Sequence, residues 1–440
     1  MWVRRFRVLS RAFPPAKCID AGEALGLDGQ CLRWMAVAAA EGEVQALGKH
    51  LRRVAALLAV IMASGLLAGP MSAQAQSVLR VQVGGFLGSS GAPADGMRFY
   101  GGNLRVHDGT TVRFTLAGFH TATLMPANVD GDVWASQNAG GIDKPFSLAS
   151  SDPDDSAYKF NNQTIFPSDP TCGTAANPCD YDGSAVVNSG AFVDSPRFSV
   201  TIDGSPGDVT NVICLIHPKM RMRIGVVPGG DPETTQEQID ARKMRARARD
   251  AESAAALHNK LSKRQSKHVT RDGGVVWDAF AGYDADGFAL LANYPHKLVI
   301  RKGQRVRWHS SGLMYEDHSV TFPFDKGRMI SNNEGGTPVC DPDGDAGPGP
   351  DNPPELQGPP FCNNPNQFEF DISARFAELR GDSRHRRKDF DSSGIFGNID
   401  VGKSPYTLRF TRPTSNKGLR YLCVIHGSFM DGRVVVRSRR

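Results

Sequence analysis

One ligand-like pattern occurs twice in this chain. Cys214-Leu215-Ile216-His217-Pro218-Lys219-Met220 stands near the middle, and Cys423-Val424-Ile425-His426-Gly427-Ser428-Phe429-Met430 near the C-terminus. Well upstream of each, a His opens a β-like run: His120-Thr121-Ala122-Thr123-Leu124 and His318-Ser319-Val320-Thr321-Phe322. A fold that serves this pattern has to bring each distant His back to its own Cys-x-x-His loop. The flanking sequence is duplicated as well. Asn103 to Phe114 and His296 to Trp308 both read as strand, Gly-containing turn and strand, with period-2 alternation. Asn188-Ser189-Gly190-Ala191-Phe192 is echoed by Ser392-Ser393-Gly394-Ile395-Phe396. Short alternating strands separated by Gly, Pro and Asp turns predict a mainly β protein, with a sandwich or barrel in each half.

The segments around these halves differ in character. The predicted organisation is a leader over 1–76, a first β domain over 77–228, a charged helical linker over 229–270 and a second β domain over 271–440. In the linker, residues 231–265 are rich in Glu, Gln, Arg, Lys and Ala, with no Gly or Pro after Pro232. Thr234 or Thr235 is placed to cap a helix, with Glu237 in its first turn. With little continuous apolar face, this helix is expected to act as a semi-rigid spacer. Two polar inserts, 125–190 and 323–390, interrupt the strands. Asp341-Pro342-Asp343-Gly344-Asp345 resembles the start of a calcium loop but lacks the closing Glu of an EF-hand. The expectation there is a solvated acidic turn, with calcium a minor alternative; Asp130-Gly131-Asp132 is a weaker candidate still.

Lys49, Arg52 and Arg53 precede an apolar run from Val54 to Gly69, and Ala73-Gln74-Ala75 closes it. That is the pattern of a secretory signal cleaved after Ala75, with Met35 a candidate true start. The run is too short and too rich in Gly and Ala for a membrane span, so no span is expected after cleavage. Residues 1–76 hold nine Lys/Arg and five Asp/Glu, leaving 42 basic and 41 acidic side chains beyond them. The formal charge of +5 therefore belongs mostly to the leader and does not point to nucleic acid. Export predicts a periplasmic or extracellular protein. It also suits disulfides for Cys172/Cys179 and Cys340/Cys362, each pair lying between the upstream His and the Cys-x-x-His loop of its own half. His385, in the basic run His385-Arg386-Arg387-Lys388, is expected in a solvated turn.

One thiolate, two imidazoles and a thioether are the ligand set of a mononuclear blue-copper site. Soft sulfur ligands suit Cu(I), and imidazole suits both oxidation states. A weak axial Met gives a geometry between the two preferences and so keeps reorganisation small. A structural zinc site would not recruit Met. The candidate ligands are His120, Cys214, His217 and Met220 for one ion, and His318, Cys423, His426 and Met430 for a second. Met222 rivals Met220 as the axial ligand.

With these motifs the sequence resembles the cupredoxin family, in particular plastocyanin, pseudoazurin and amicyanin. Cys-Leu-Ile-His-Pro-Lys-Met is similar to the short amicyanin-type loop, and Met430-Asp431-Gly432-Arg433-Val434 matches the family's Met-x-Gly-x-Val. The resemblance implies two Greek-key β-sandwich domains and an exported electron carrier, not an enzyme, with redox proteins outside the cytoplasm as partners. It also implies that the exposed edge of His217 or His426 is the electron exit. Copper storage or delivery, or a surface binding module, is the alternative. Copper oxidase or nitrite reductase chemistry is less favoured. Ile213 and Leu422, not His, precede the two cysteines, and the sequence contains no His-x-His.

Overall fold

The computed structural model describes residues 78–88, 92–151, 158–191, 196–310, 316–332, 339–340, 368–369, 384–386, 389–395 and 405–438. The leader, the acidic turn at 341–345 and Cys362 lie outside the described residues, and with them the expectations placed there. Residues 74–440 form one compact unit. Among the described residues, no helix is long and apolar enough to cross a membrane.

Alternation along the strands sets which side chains are buried. In Val78–Gly84, Leu79, Val81 and Val83 are buried while Arg80 is exposed, because successive strand residues point to opposite faces. In the first half, one sheet runs, in hydrogen-bonded order, Phe99–Tyr100, Val78–Gly84, Thr111–Ala117, Arg197–Ile202, Cys179–Tyr181. The other runs Val187–Asn188, Thr123–Leu124, Val209–Ile213, Arg221–Val226, Leu104–Val106. Val81, Phe114 and Val200 from the first sheet meet Leu124, Val212 and Ile224 from the second in one core.

The second half repeats this arrangement strand for strand. One sheet contains Phe288–Tyr294, Val275–Ala285, Arg305–His309, Tyr406–Phe410 and Arg384–His385 in the corresponding order. The other contains Asp391–Ser392, Thr321–Phe322, Leu419–Cys423, Gly427–Arg437 and Lys297–Arg301. Parallel and antiparallel pairings recur at the same places. The core here centres on Trp308, ringed by Phe322, Tyr406, Phe410 and Tyr421. Its buried indole N–H donates to the Tyr421 hydroxyl at 3.0 Å. Mainly β, with mixed sheets in both halves, the architecture is consistent with two cupredoxin domains.

The spacer expectation is corrected. The helix Gln236–Lys263 does form, capped by Thr235 in a capping box with Gln238. Rather than projecting freely, it packs on both halves. Ile239 joins the first core, while Ala254 and Leu261 pack with Leu87, Tyr100, Phe288 and Tyr294. Positions 250, 254, 257 and 261 share one helix face. This face is narrow and built partly from alanines, and the surrounding charges hide it in the sequence. Asp250, 2% exposed, accepts from Arg98 Nε at 2.9 Å and from the Tyr100 hydroxyl at 3.2 Å. Arg98 also reaches Asp286 of the second half at 3.0 Å. A second tie is a strand. Ala94–Gly96, from the first half, adds to the edge of Phe288–Tyr294 and extends the second half's sheet.

The first insert is ordered by local devices. Asp130 caps the helix Gly131–Asn138 by accepting the N–H groups of Asp132 and Val133, and Asp132 pairs with Arg221. Those two carboxylates are thus engaged in capping and ion pairing. Cys172 and Cys179 form a disulfide. In the second insert the described part is mostly the helix Phe324–Asn332. His385 is not in a solvated turn. It is 2% exposed, hydrogen-bonds the buried Asp391, and sits between Phe322 and Phe410. The basic residues beside it concealed a core position.

Candidate metal centres

The strand Val209–Ile213 delivers Cys214 to the end of the first sandwich, and the chain turns back at once into Arg221–Val226. Two backbone bonds fix this loop: Met220 N–H donates to the His217 carbonyl at 2.8 Å, and Cys214 N–H donates to the Met220 carbonyl at 3.1 Å. His120 arrives from the segment that precedes Thr123–Leu124, the strand paired with Val209–Ile213. His120, Cys214 and His217 are all buried, and their ligand atoms lie within 4.8 Å of one another. Cys214 Sγ is 3.9 Å from His120 Nδ1 and 3.5 Å from His217 Nδ1, and the two Nδ1 atoms are 3.1 Å apart.

His318, Cys423 and His426 repeat the trio, with Cys423 Sγ 3.5 Å from His426 Nδ1. The supporting bonds repeat as well. Thr121 N–H points at Cys214 Sγ and Ser319 N–H at Cys423 Sγ, each at 3.3 Å. The hydroxyls of the same two residues accept from Leu215 N–H and Val424 N–H, at 2.8 and 2.9 Å. Ser189 and Ser393 hydroxyls accept from Ala122 N–H and Val320 N–H, each at 2.8 Å. This is the serine echo that the sequence duplication contains.

The electrostatics ready the thiols for a metal but hold protons on the imidazoles. Burial by itself pushes the thiols up and the imidazoles down, but their mutual attraction outweighs it. Facing imidazoles hold the Cys214 and Cys423 thiols well below the ordinary thiol value. Conversely, the thiolates and nearby carboxylates raise His318 to about 9 and His426 to about 10, and lift His217 well above its ordinary value. A thiolate is the form that binds metal. Both ring nitrogens of His318 are buried without a hydrogen-bond partner, which leaves the imidazole free to take an ion. A soft thiolate with two imidazoles fits copper.

Both axial candidates in the first half are buried. Met220 has its backbone tied to Cys214 and His217, whereas Met222 lies opposite Val212 within the strand ladder, on the inward face with Ile224. Met430 is fully buried in the same core as Cys423. It follows a register shift in the Leu419–Cys423 ladder that accommodates the longer second loop.

Five further residues shape the sites and were not found from sequence. A Cβ on Gly84 would meet His120 Nε2 at 2.0 Å, and one on Gly282 would meet His318 Nε2 at the same distance. Only glycine lets each imidazole lie against the first strand. Asp95 lies 3.6 Å from His120 Nε2, and Asp284 4.0 Å from His318 Nε2. Glu316 reaches both other ligands, with Oε1 3.3 Å from His217 Nε2 and Oε2 3.5 Å from His426 Nε2. Its backbone N–H donates to Asp284 Oδ2 at 3.1 Å. The two aspartates stand beyond hydrogen-bond distance of their rings, so Glu316 is the carboxylate placed to fix ring orientation, as carboxylates on the outer nitrogen of metal-binding His do. The repeat did carry one signal: two residues before its upstream His, the second half has Glu316 where the first has Gly118. The expected exposed exit is corrected too. The His217 side chain is 4% exposed and that of His426 12%, because both point at Glu316 between the halves.

The strand order, repeated in both halves, with a His-Cys-His trio at one end of each sandwich, makes the fold cupredoxin-like. No protein-family model matches the sequence, and no curated protein sequence does. Among solved structures, auracyanin from Roseiflexus castenholzii is 11% identical, with 34% of this chain and 98% of that one covered and a TM-score of 0.19. The copper-containing nitrite reductase of Thermus scotoductus is 10% identical over 83% of this chain and 69% of that one, also at 0.19. The copper nitrite reductase of Nitrosomonas europaea is 14% identical over 82% and 93%, at 0.15. Likenesses this weak say nothing about activity.

Proposed function

We propose that the chain is an exported electron-transfer protein with two type-1 copper sites in two Greek-key domains. His120, Cys214, His217 and Met220 hold one ion, and His318, Cys423, His426 and Met430 hold the other. The observation that carries this reading is the twofold assembly of a buried trio whose sulfur receives a backbone N–H and whose outer nitrogens face carboxylates. Copper, when bound, supplies a one-electron Cu(I)/Cu(II) couple. The chain's part is to hold the ligands still. The Thr121 and Ser319 amides fix the sulfurs, the glycines seat the rings, and the packed core excludes water. The absence of His beside either Cys, and of any His-x-His, supports a carrier over an oxidase or reductase. The Cys172–Cys179 disulfide and the leader pattern support a periplasmic or extracellular location with redox-protein partners.

Loading the purified protein with Cu(II) and recording absorption and EPR tests this. Two blue centres per chain are expected, with Cys214→Ser and Cys423→Ser each removing one. A colourless, copper-free protein defeats the proposal. Reversible cycling of the bound ion separates a carrier from a storage or delivery protein, which would hand copper over to a chelating acceptor.

A further inference from the structure

Each trio has a carboxylate of its own on its upstream His, Asp95 or Asp284, but the two Cys-loop histidines share one. Glu316 places Oε1 on His217 Nε2 and Oε2 on His426 Nε2, so a single side chain spans the gap between the sites. It is 12% exposed and anchored through its own amide to Asp284. In that setting a charge acts over short distances with little screening by solvent. The two imidazoles are therefore joined edge to edge through one carboxyl group.

We propose that Glu316 is a shared positioning carboxylate that couples the two sites into one redox unit, so that the oxidation state of either sets the potential of the other. This rests on the copper reading above. The physical sequence is simple. An oxidised site carries one more positive charge than a reduced one and draws the carboxylate more strongly through its His N–H. When one site takes up an electron, Glu316 is freed toward the other and stabilises the oxidised form there. The direct Coulomb effect has the same sign, because a site that has lost positive charge makes its neighbour harder to reduce. Coupling is reciprocal, so the effect of the first site on the second equals that of the second on the first. The outcome is anticooperative: the first electron enters more readily than the second.

The test is a potentiometric titration of the blue absorption in the copper-loaded protein, in Cys214→Ser and Cys423→Ser, and in Glu316→Gln. Each one-site variant gives the potential of its remaining site beside an empty neighbour, with Glu316 shared with no second ion. In the two-site protein the first reduction is expected to be at least tenfold more favourable than the matching one-site value, equal to 59 mV for one electron. Glu316→Gln is expected to raise both potentials and to narrow the gap between the first and the second reduction. The comparison with the two Cys→Ser variants stands even if Glu316→Gln folds poorly. Two blue sites whose potentials equal the one-site values overturn the coupling while leaving the copper reading intact. Coupling that survives Glu316→Gln unchanged overturns the role of this residue. Absence of blue sites altogether refutes the underlying function.

Discussion

Gly84→Ala should delete one metal site and leave the other untouched. Gly84 sits at φ +64°, and an added Cβ would lie 2.0 Å from His120 Nε2 and 2.2 Å from Cδ2. Two separable effects follow. A non-glycine residue at this φ costs about 1–2 kcal/mol, which for a domain of about 150–250 residues lowers Tm by roughly 2–8 °C. The second effect is geometric. To restore an ordinary contact of at least 3.4 Å, the ring has to retreat by more than an ångström. Metal–ligand distances tolerate only about ±0.2 Å. His120 is 1% exposed, and a ring displacement of that size takes its Nδ1 out of the trio. Gly207→Ala is the control: φ is +101° with nothing within 4 Å, so it carries the backbone cost without the clash. Copper stoichiometry and absorption should show one site in Gly84→Ala, two in Gly207→Ala, and one in the mirror variant Gly282→Ala. A Gly84→Ala protein that binds two ions with an unchanged spectrum would refute the steric account.

Other expectations follow from neighbouring features. Asp250→Ala leaves Arg98 and the Tyr100 hydroxyl without their buried acceptor and should cost about 1–3 kcal/mol, read by urea unfolding, with both blue spectra retained; no loss of stability would mean the long helix does not tie the halves. In the metal-free protein His318 and His426 keep their protons up to about 9 and about 10, whereas free His titrates near 6.5. Copper binding at neutral pH must displace those protons, so affinity should climb with pH and level off at about 9 to 10, and calorimetry in buffers of differing ionisation enthalpy should detect proton release. The same raised values stabilise the metal-free fold fully below about 6.5, and that contribution should disappear as pH passes through 9 to 10; a melting temperature flat across that window would contradict it.

Much of this protein can be read from local sequence, because its information is periodic or repeated. Alternation along Val78–Gly84 or Arg305–His309 states which side chains face inward, and a Cys-x-x-His loop needs no long-range knowledge to place its two ligands together. The duplication goes further, pairing His120 with Cys214 and His318 with Cys423 by analogy between the halves. Tertiary structure alone decided how the halves join. The helix Gln236–Lys263 reads as a solvated spacer because Asp250 is charged and its inward face mixes alanines with two leucines, yet Arg98 and Tyr100, distant in sequence, make that face a packing surface. Ala94–Gly96 carries no sign that it will extend the other half's sheet. Glu316 is one acidic residue among many until folding sets it between two histidines that the sequence assigns to separate sites. Patterning encodes which face of a strand or helix is buried; it does not encode which distant charge will meet that face, and in this chain the link between the two sites is made of such charges.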